Sequence, residues 1–355
     1  MDAGWRKQMR EGAREFIGFG DAYRRPPEDF AARVLPGLPG TWSLRNETLA
    51  PLFPHDRIRH SGRAADSDGS LPRLALRRFY GSESLAKSIA PEPFDGPTET
   101  HLERAWFGGY FFPNFGHFLL ESLSRLLSAE VADSSDPIVF LSSKPHKRLY
   151  RPYQNILTQI GIAPERVILV NAPLSVGELR GQDAAYEFKG RVYPDAYRRV
   201  QEPTNERVKG KIVYLSRAQY APKLGTDMRW AKDEDALERR LATEFDAEIV
   251  YPETLAFAEQ IAKFARADFV VGCEGSAFYT AMFLADAPHT IKLCGANIPL
   301  DLFLAEEVSN GHSTYLYAST TPLTPQTVRH APWCLDVDRV VDALRPILSK
   351  ARPAL

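Results

Sequence analysis

Cysteine is scarce: the 355 residues contain only Cys273, Cys294 and Cys334. They are odd in number, far apart and set among apolar neighbours. Neither a disulfide framework nor a paired-cysteine zinc site fits that pattern, and a reducing cytoplasm is the simplest expected home. Long apolar runs are missing as well. None approaches the roughly 20 residues of a membrane span, and Met1–Arg10 lacks the apolar core of a secretion signal. An excess of charge is the third absence. Lys+Arg 44 against Asp+Glu 45 leave a net charge of −1, which argues against a general nucleic-acid binder. No short-period repeat occurs. What remains is ordinary globular composition, 44% hydrophobic and 25% charged, in a chain long enough for two domains.

The order of patterns predicts an α/β protein of two units facing a cleft. Residues 1–100 read as an irregular and helical extension, with Trp5, Met9, Phe16 and Ile17 as docking contacts. Short strand candidates such as Leu74-Ala75-Leu76 follow, as does a polar loop at 65–70. From 101 to 204 an α/β core is expected: a strand at Pro137–Leu141, a helix near 147–160 and a strand at Arg166–Val170. The polar stretch Gln201–Glu206 marks a boundary. Beyond it the alternation restarts, with strands at 211–216, 248–251, 268–272 and 290–293 and helices at 232–244, 254–266 and 276–285. Such alternation is the signature of parallel sheets. The domains expected are therefore 1–204 and 205–335. A last helix within 336–355 is expected to cross back onto the first.

One stretch carries the most chemistry. Asn114 to Leu127 reads as a helix entered through an Asn cap, with Leu119, Leu120, Leu123, Leu126 and Leu127 as its apolar face. His117, Glu121 and Arg125 recur every four residues, so they share one stripe. A histidine followed one turn later by a carboxylate can serve as an oriented general base. The plainer alternative is a structural histidine beside a solvated Glu–Arg pair. The approach, Trp106–Pro113, suggests a strand ending in a tight loop that delivers the helix start to the cleft.

A second constellation, Val270–Tyr279, reads as a strand, a glycine-containing turn and a helix start. Gly275 permits close approach of a ligand to the backbone. The first helical N–H groups, with the Ser276 hydroxyl and Ala277, suit an anion, most naturally a phosphate. An ordinary Ser-capped turn is the alternative. The turn is neither G-x-G-x-x-G nor a P-loop. Arg217 ends the strand Lys211–Ser216, where open parallel sheets bind ligands, and could pair a diphosphate. Lys223 and Arg229 in the next loop could add charge.

Three blocks together resemble glycosyltransferase family 61. Asn114-Phe115-Gly116-His117-Phe118-Leu119-Leu120-Glu121 is similar to the family's N-x-x-H-[WF]-x-x-E/D block. Tyr214-Leu215-Ser216-Arg217 is similar to its Y-[IL]-S-R strand end. Residues 249–253, 257–260, 267–268 and 271–276 resemble its nucleotide-domain signature. The resemblance implies a GT-B fold of two Rossmann-like domains and a metal-independent, inverting transfer from a nucleotide-sugar donor, a UDP-sugar being the first candidate. The acceptor implied is a glycan or lipid-linked saccharide of surface (capsular) polysaccharide synthesis. His117 would be the base, with Glu121 as its partner and Asn114 and Arg125 in support. Arg217, Lys223, Gly275, Ser276 and Ala277 would hold the diphosphate; Glu253 and Glu274 would meet ribose or sugar hydroxyls. No cofactor, metal or nucleic-acid partner is expected. Many members carry H-G-A-G-L-[TH]-N where this chain has Glu274-Gly275-Ser276-Ala277-Phe278-Tyr279-Thr280, which keeps the glycine alone.

Rival readings stay open. The D-x-D pairs Asp66-Ser67-Asp68 and Asp336-Val337-Asp338 fall in a loop and at a helix start, which suits structure better than metal binding. A non-catalytic sugar-nucleotide or glycan-binding subunit would explain the altered donor turn. A hydrolase with Ser276 as nucleophile lacks the G-x-S-x-G elbow. The basic segment Lys144–Arg148 allows peripheral contact with the inner face of a membrane, though a solvated turn and helix start is the plainer reading.

Overall fold

A computed structural model describes residues 14–19, 26–50, 59–60, 92–93, 97–98, 100–142, 148–204, 207–220, 230–324, 327 and 332–349. The chain forms two compact units. One is Leu35–Val200; the other joins Met1–Val34 to Gln201–Leu355.

Leu35–Val200 is built on a seven-stranded mixed sheet. Thr100–Tyr110, Ile138–Leu141 and Val167–Val170 run parallel in the order of the sequence, as alternation with the helix Arg151–Gln159 requires. Leu174–Gln182 pairs parallel to Thr100–Tyr110 on its other side. The ten-residue strand Thr41–Ala50 then runs antiparallel to Leu174–Gln182. The parallel sheet expected from alternation is therefore mixed, because the stretch read as irregular supplies a long strand with no crossover helix before it. Its core joins Phe107, Val139, Leu141, Val176 and Leu179. The strand Ile138–Leu141 is buried at every position, which is why its sequence is a continuous apolar run.

The second unit holds a six-stranded sheet in which every neighbouring pair is parallel. Its strands lie in the spatial order Arg14–Ile17, Ser313–Tyr317, His289–Cys294, Phe269–Cys273, Ile212–Leu215, Glu248–Val250. From Ile212–Leu215 the chain moves outward to Glu248–Val250, then returns to Phe269–Cys273 on the opposite side. That reversal is a topological switch point, and the crevice beyond the carboxyl ends of such strands is where open α/β sheets take ligands. The helices Glu234–Phe245 and Phe257–Arg266 make the two crossovers. Phe257, Gln260, Ile261 and Phe264 of the latter are buried at the spacing of one helical face, and Glu259 reaches back to the amide of Ala256 at 2.7 Å.

Two expectations change here. Within the extension read as irregular and helical, Arg14–Ile17 is a strand, paired in parallel with Ser313–Leu316; Phe16 stacks on Tyr315 at 5.4 Å between ring centroids, while Trp5 and Met9 lie outside the described residues. Arg14 is tied to Glu306 and Glu307 at 2.8 and 2.6 Å. The final helix, Val337–Ser349, has its apolar face taken up inside the second unit. Its Val340, Val341, Leu344 and Leu348 join Leu237, Leu241, Ile291 and Leu316 in one core. Leu74–Leu76 and Asp66–Asp68 lie outside the described residues, as does most of the basic segment, Lys144–Lys147.

Candidate active site

In the first unit the strand Thr100–Tyr110 runs into Phe111, Phe112 and Pro113, and the helical stretch begins at Phe115. It is not a regular helix. One turn, Phe115–His117, gives way to a wider π-type turn, Phe118–Ser122, and then to a 3-10 turn, Leu123–Arg125. The expected apolar face holds, since Leu119, Leu120, Leu123, Leu126 and Leu127 are all buried. The irregularity has a visible anchor at Ser122, whose hydroxyl donates to the carbonyl of Tyr110 at 2.6 Å. Wide turns of this kind recur at functional sites.

Asn114 caps the start, its Oδ1 accepting from the amide of His117 at 3.4 Å. His117 Nδ1 is bonded to Glu121 Oε1. The imidazole is more open than its partner, with 37% of its side chain exposed against 15% for Glu121. The rings of Phe112 and Phe188 pack on it at 5.5 and 4.9 Å between centroids. With Nδ1 committed to the carboxylate, Nε2 is the nitrogen left for chemistry; a carboxylate on Nδ1 stabilises the imidazolium formed on proton capture. Arg125 stands behind this pair and donates to the carbonyl of Gln182 at 3.3 Å. Burial lowers the pKa of its guanidinium, while Asp183, Glu187 and Glu121 act against that. It remains charged at working pH.

In the second unit, two strand ends meet at the switch point. Arg217 follows Ile212–Leu215, and Glu274, Gly275 and Ser276 follow Phe269–Cys273. Arg217 Nη1 donates to the carbonyl of Glu274 at 3.4 Å. Among the described residues no carboxylate forms an ion pair with this guanidinium. Ser276 and Ala277 open a 3-10 helix, Ser276–Phe283, rather than an α-helix. Its first N–H groups have no acceptor within the helix. Gly275 has an extended backbone, so its value is room rather than a special φ: an added Cβ would meet Arg217 Nη1 at 3.5 Å. Gly272 differs, since a Cβ there would lie 2.8 Å from the carbonyl oxygen of Leu215 on the neighbouring strand.

The structure thus brings Arg217, Glu274, Gly275, Ser276 and Ala277 to one place. Glu253 stands exposed on the 3-10 turn Pro252–Thr254 and makes no hydrogen bond or ion pair with Arg217 or Glu274–Ser276 among the described residues. Lys223 and Arg229 lie outside the described residues. Two acids that sequence reasoning missed are Glu234 and Glu238, on the helix after this strand. Glu234 Oε1 accepts from the amide of Arg217 and the phenol of Tyr214, both at 3.0 Å. Glu238 accepts from Ser216 Oγ, and from the phenol of Tyr251 at 3.0 Å. Burial raises the pKa of the Glu234 carboxyl, although both donors and Arg217 favour its ionised form. Burial first, then Cys273 and Glu234, keeps the Tyr214 phenol protonated and donating. A four-residue spacing of acids on a helix looks like solvated surface in a sequence, which hid them.

Among the described residues no group of three or more His, Cys, Asp or Glu side chains is arranged to hold a metal ion. The pair Asp336 and Asp338 has structural partners: Asp336 accepts from the amide of Arg339 at 3.2 Å, and Asp338 pairs with Arg240 at 2.5 Å. All three cysteines are free, Cys273 and Cys294 buried and Cys334 exposed. No helix among the described residues is long and apolar enough to cross a membrane.

No curated protein sequence matches the chain. The family model described as Glycosyltransferase 61 matches residues 115–291. That span opens within the Asn114–Glu121 block and takes in Tyr214–Arg217 and the Glu274–Ser276 turn, so the residues grouped at both places fall inside it, apart from Phe112 and the Asn114 cap. The chain belongs to glycosyltransferase family 61, and glycosyl transfer is its general chemistry.

Proposed function

We propose that the protein is a metal-independent, inverting glycosyltransferase that moves a sugar from a nucleotide-sugar, a UDP-sugar first among candidates, to a glycan or lipid-linked saccharide. On this reading it is a GT-B enzyme of surface (capsular) polysaccharide synthesis, working in the cytoplasm, with peripheral contact at the inner face of the membrane. The observation that carries the reading is Arg217. Its part-buried guanidinium makes no ion pair with a carboxylate among the described residues, although Glu234 lies near and accepts from the Arg217 amide, and it is set against a glycine turn at a switch point. Such a place favours a diphosphate, whose developing charge on departure would otherwise need a metal.

The chemistry follows from the groups present. His117 Nε2 takes the proton of the acceptor hydroxyl as its oxygen attacks the anomeric carbon, and Glu121 stabilises the imidazolium. The bond from that carbon to the diphosphate oxygen breaks on the opposite face, so the configuration inverts. Arg217 and the N–H groups of the turn at Gly275–Ala277 receive the charge of the leaving diphosphate. Glu253 and Glu274 bind ribose or sugar hydroxyls, and Lys223 adds charge. A second reading, a binding subunit without turnover, draws on the altered donor turn, with Glu274 and Thr280 at the family's His and Asn positions.

The test is release of nucleoside diphosphate from UDP-, GDP- and dTDP-sugars, and of CMP from CMP-sugars, in the presence of mixed glycan acceptors and EDTA. Turnover that persists in EDTA and disappears in His117→Ala is expected. Activity lost in EDTA and restored by Mn²⁺ would overturn metal independence. Donor binding without turnover by any acceptor would favour the binding subunit.

A further inference from the structure

The acids Glu234 and Glu238 lie four residues apart on the helix Glu234–Phe245, so they project from one face. Between them they accept hydrogen bonds from three consecutive or alternate groups of one strand end: the Tyr214 phenol, the Ser216 hydroxyl and the Arg217 amide. Each also reaches further. Ser216 Oγ accepts from the amide of Ala218 at 3.0 Å, fixing the turn that leaves the strand. Tyr251, at the end of the adjacent strand Glu248–Val250, donates to the other oxygen of Glu238. Glu234 is 2% exposed, Tyr214 and Ser216 are fully buried, and the Glu234 amide follows Asp233, a non-glycine residue in left-handed backbone (φ 66°). A surface ion pair would need none of this. Buried carboxylates are costly to place and hold only where their partners are fixed.

What these bonds fix is the backbone from which the Arg217 side chain departs. The opposite end of that side chain touches the Glu274 carbonyl and the space above Gly275. We propose that Glu234 and Glu238 are positioning residues: they clamp the Tyr214–Arg217 strand end so that the Arg217 guanidinium is held ready over the Glu274–Ser276 turn for a diphosphate. This rests on the donor-site reading above. They act through Arg217 and do not themselves touch the donor. Preorganisation of this kind saves the ordering of a long, rotamer-rich side chain at the moment of binding.

The experiment has two arms. Backbone amide exchange of Arg217, measured without ligand, compares wild type with Glu234→Ala, Glu234→Gln and Tyr214→Phe. The clamp requires at least tenfold faster exchange at Arg217 in Glu234→Ala, with most protection kept in Glu234→Gln, which retains an acceptor oxygen. Unchanged exchange in Glu234→Ala overturns it. The second arm measures affinity for UDP, GDP, dTDP and CMP in a double-mutant cycle of Glu234→Ala with Arg217→Ala. Acting through Arg217, Glu234→Ala weakens the best of these about tenfold or more in wild type and has little further effect once Arg217 is gone. Equal losses in both backgrounds, or no loss in wild type, overturn the proposal. Where Glu234→Ala fails to fold, Tyr214→Phe and Glu238→Gln carry the cycle. Failure of every nucleotide to bind wild type speaks against the donor reading, whereas the exchange arm still decides whether the clamp exists.

Discussion

His117 owes its candidacy to the nitrogen it leaves over: Nδ1 is taken by Glu121, and a base needs a second, reachable nitrogen. Replacing it with alanine is expected to cut turnover about 10²–10⁴-fold while leaving nucleotide affinity unchanged, measured by diphosphate release and by calorimetric titration. Equal loss in both would assign His117 to folding or binding instead. At this scale much of the site was legible in the sequence. The stripe of His117, Glu121 and Arg125 needed only helical spacing, and Arg217 needed only its place at a strand end. Glu234, Glu238, Phe112 and Phe188 were not legible. The first two become partners of Arg217 and Ser216 only through a helix crossover, and Phe188 reaches the imidazole from a segment about seventy residues away in sequence.

At the scale of elements, the two glycines of the Phe269–Ser276 segment do different work. Gly272→Ala pushes a methyl group against the Leu215 carbonyl at 2.8 Å and is expected to cost roughly 1–3 kcal/mol in urea unfolding. Gly275→Ala meets only ordinary contacts, so it should fold normally and lose nucleotide affinity, because the methyl occupies the ligand's approach. An unaltered affinity would remove the turn from the donor site. The same sheet carries a pH response. His289, bonded through Nε2 to Thr314 at 2.8 Å, has its pKa lowered to about 4 by burial, then by His312 and Lys292, with Asp268 opposing. The unfolded chain titrates this ring near 6.5, so below that pH it binds a proton the folded state refuses. The contribution of this ring to stability is therefore full above that value and falls by roughly 2–3 kcal/mol as pH drops toward 4. Denaturant midpoints across that range should show the slope in wild type and a flatter one in His289→Gln. Equal slopes would place the response elsewhere. Elements with continuous apolar runs, such as Phe269–Cys273, could be read directly. Arg14–Ile17 could not, since four residues of mixed polarity become a strand only beside Ser313–Leu316. Thr41–Ala50 was equally hidden, its exposed and buried positions alternating around Glu47 and Asn46 without a clean period.

The whole molecule combines a mixed sheet in one unit with a parallel, switch-point sheet in the other, and the family match spans parts of both. Alternation of apolar runs with amphipathic helices made the second unit readable as an α/β sheet from Lys211 onward. The first unit was read less well because its sheet draws on segments far apart in the chain. On the proposed reading, the strand ends carrying Arg217 and Gly275 take a nucleoside diphosphate. Thermal unfolding of wild type and Arg217→Ala with UDP-, GDP-, CMP- and dTDP-sugars tests it most directly, since a ligand that binds only the folded state raises its stability by mass action. The expected result is a rise in Tm with one nucleotide class in wild type that is lost in Arg217→Ala. A rise of equal size in both proteins, or none with any of the four, would contradict it.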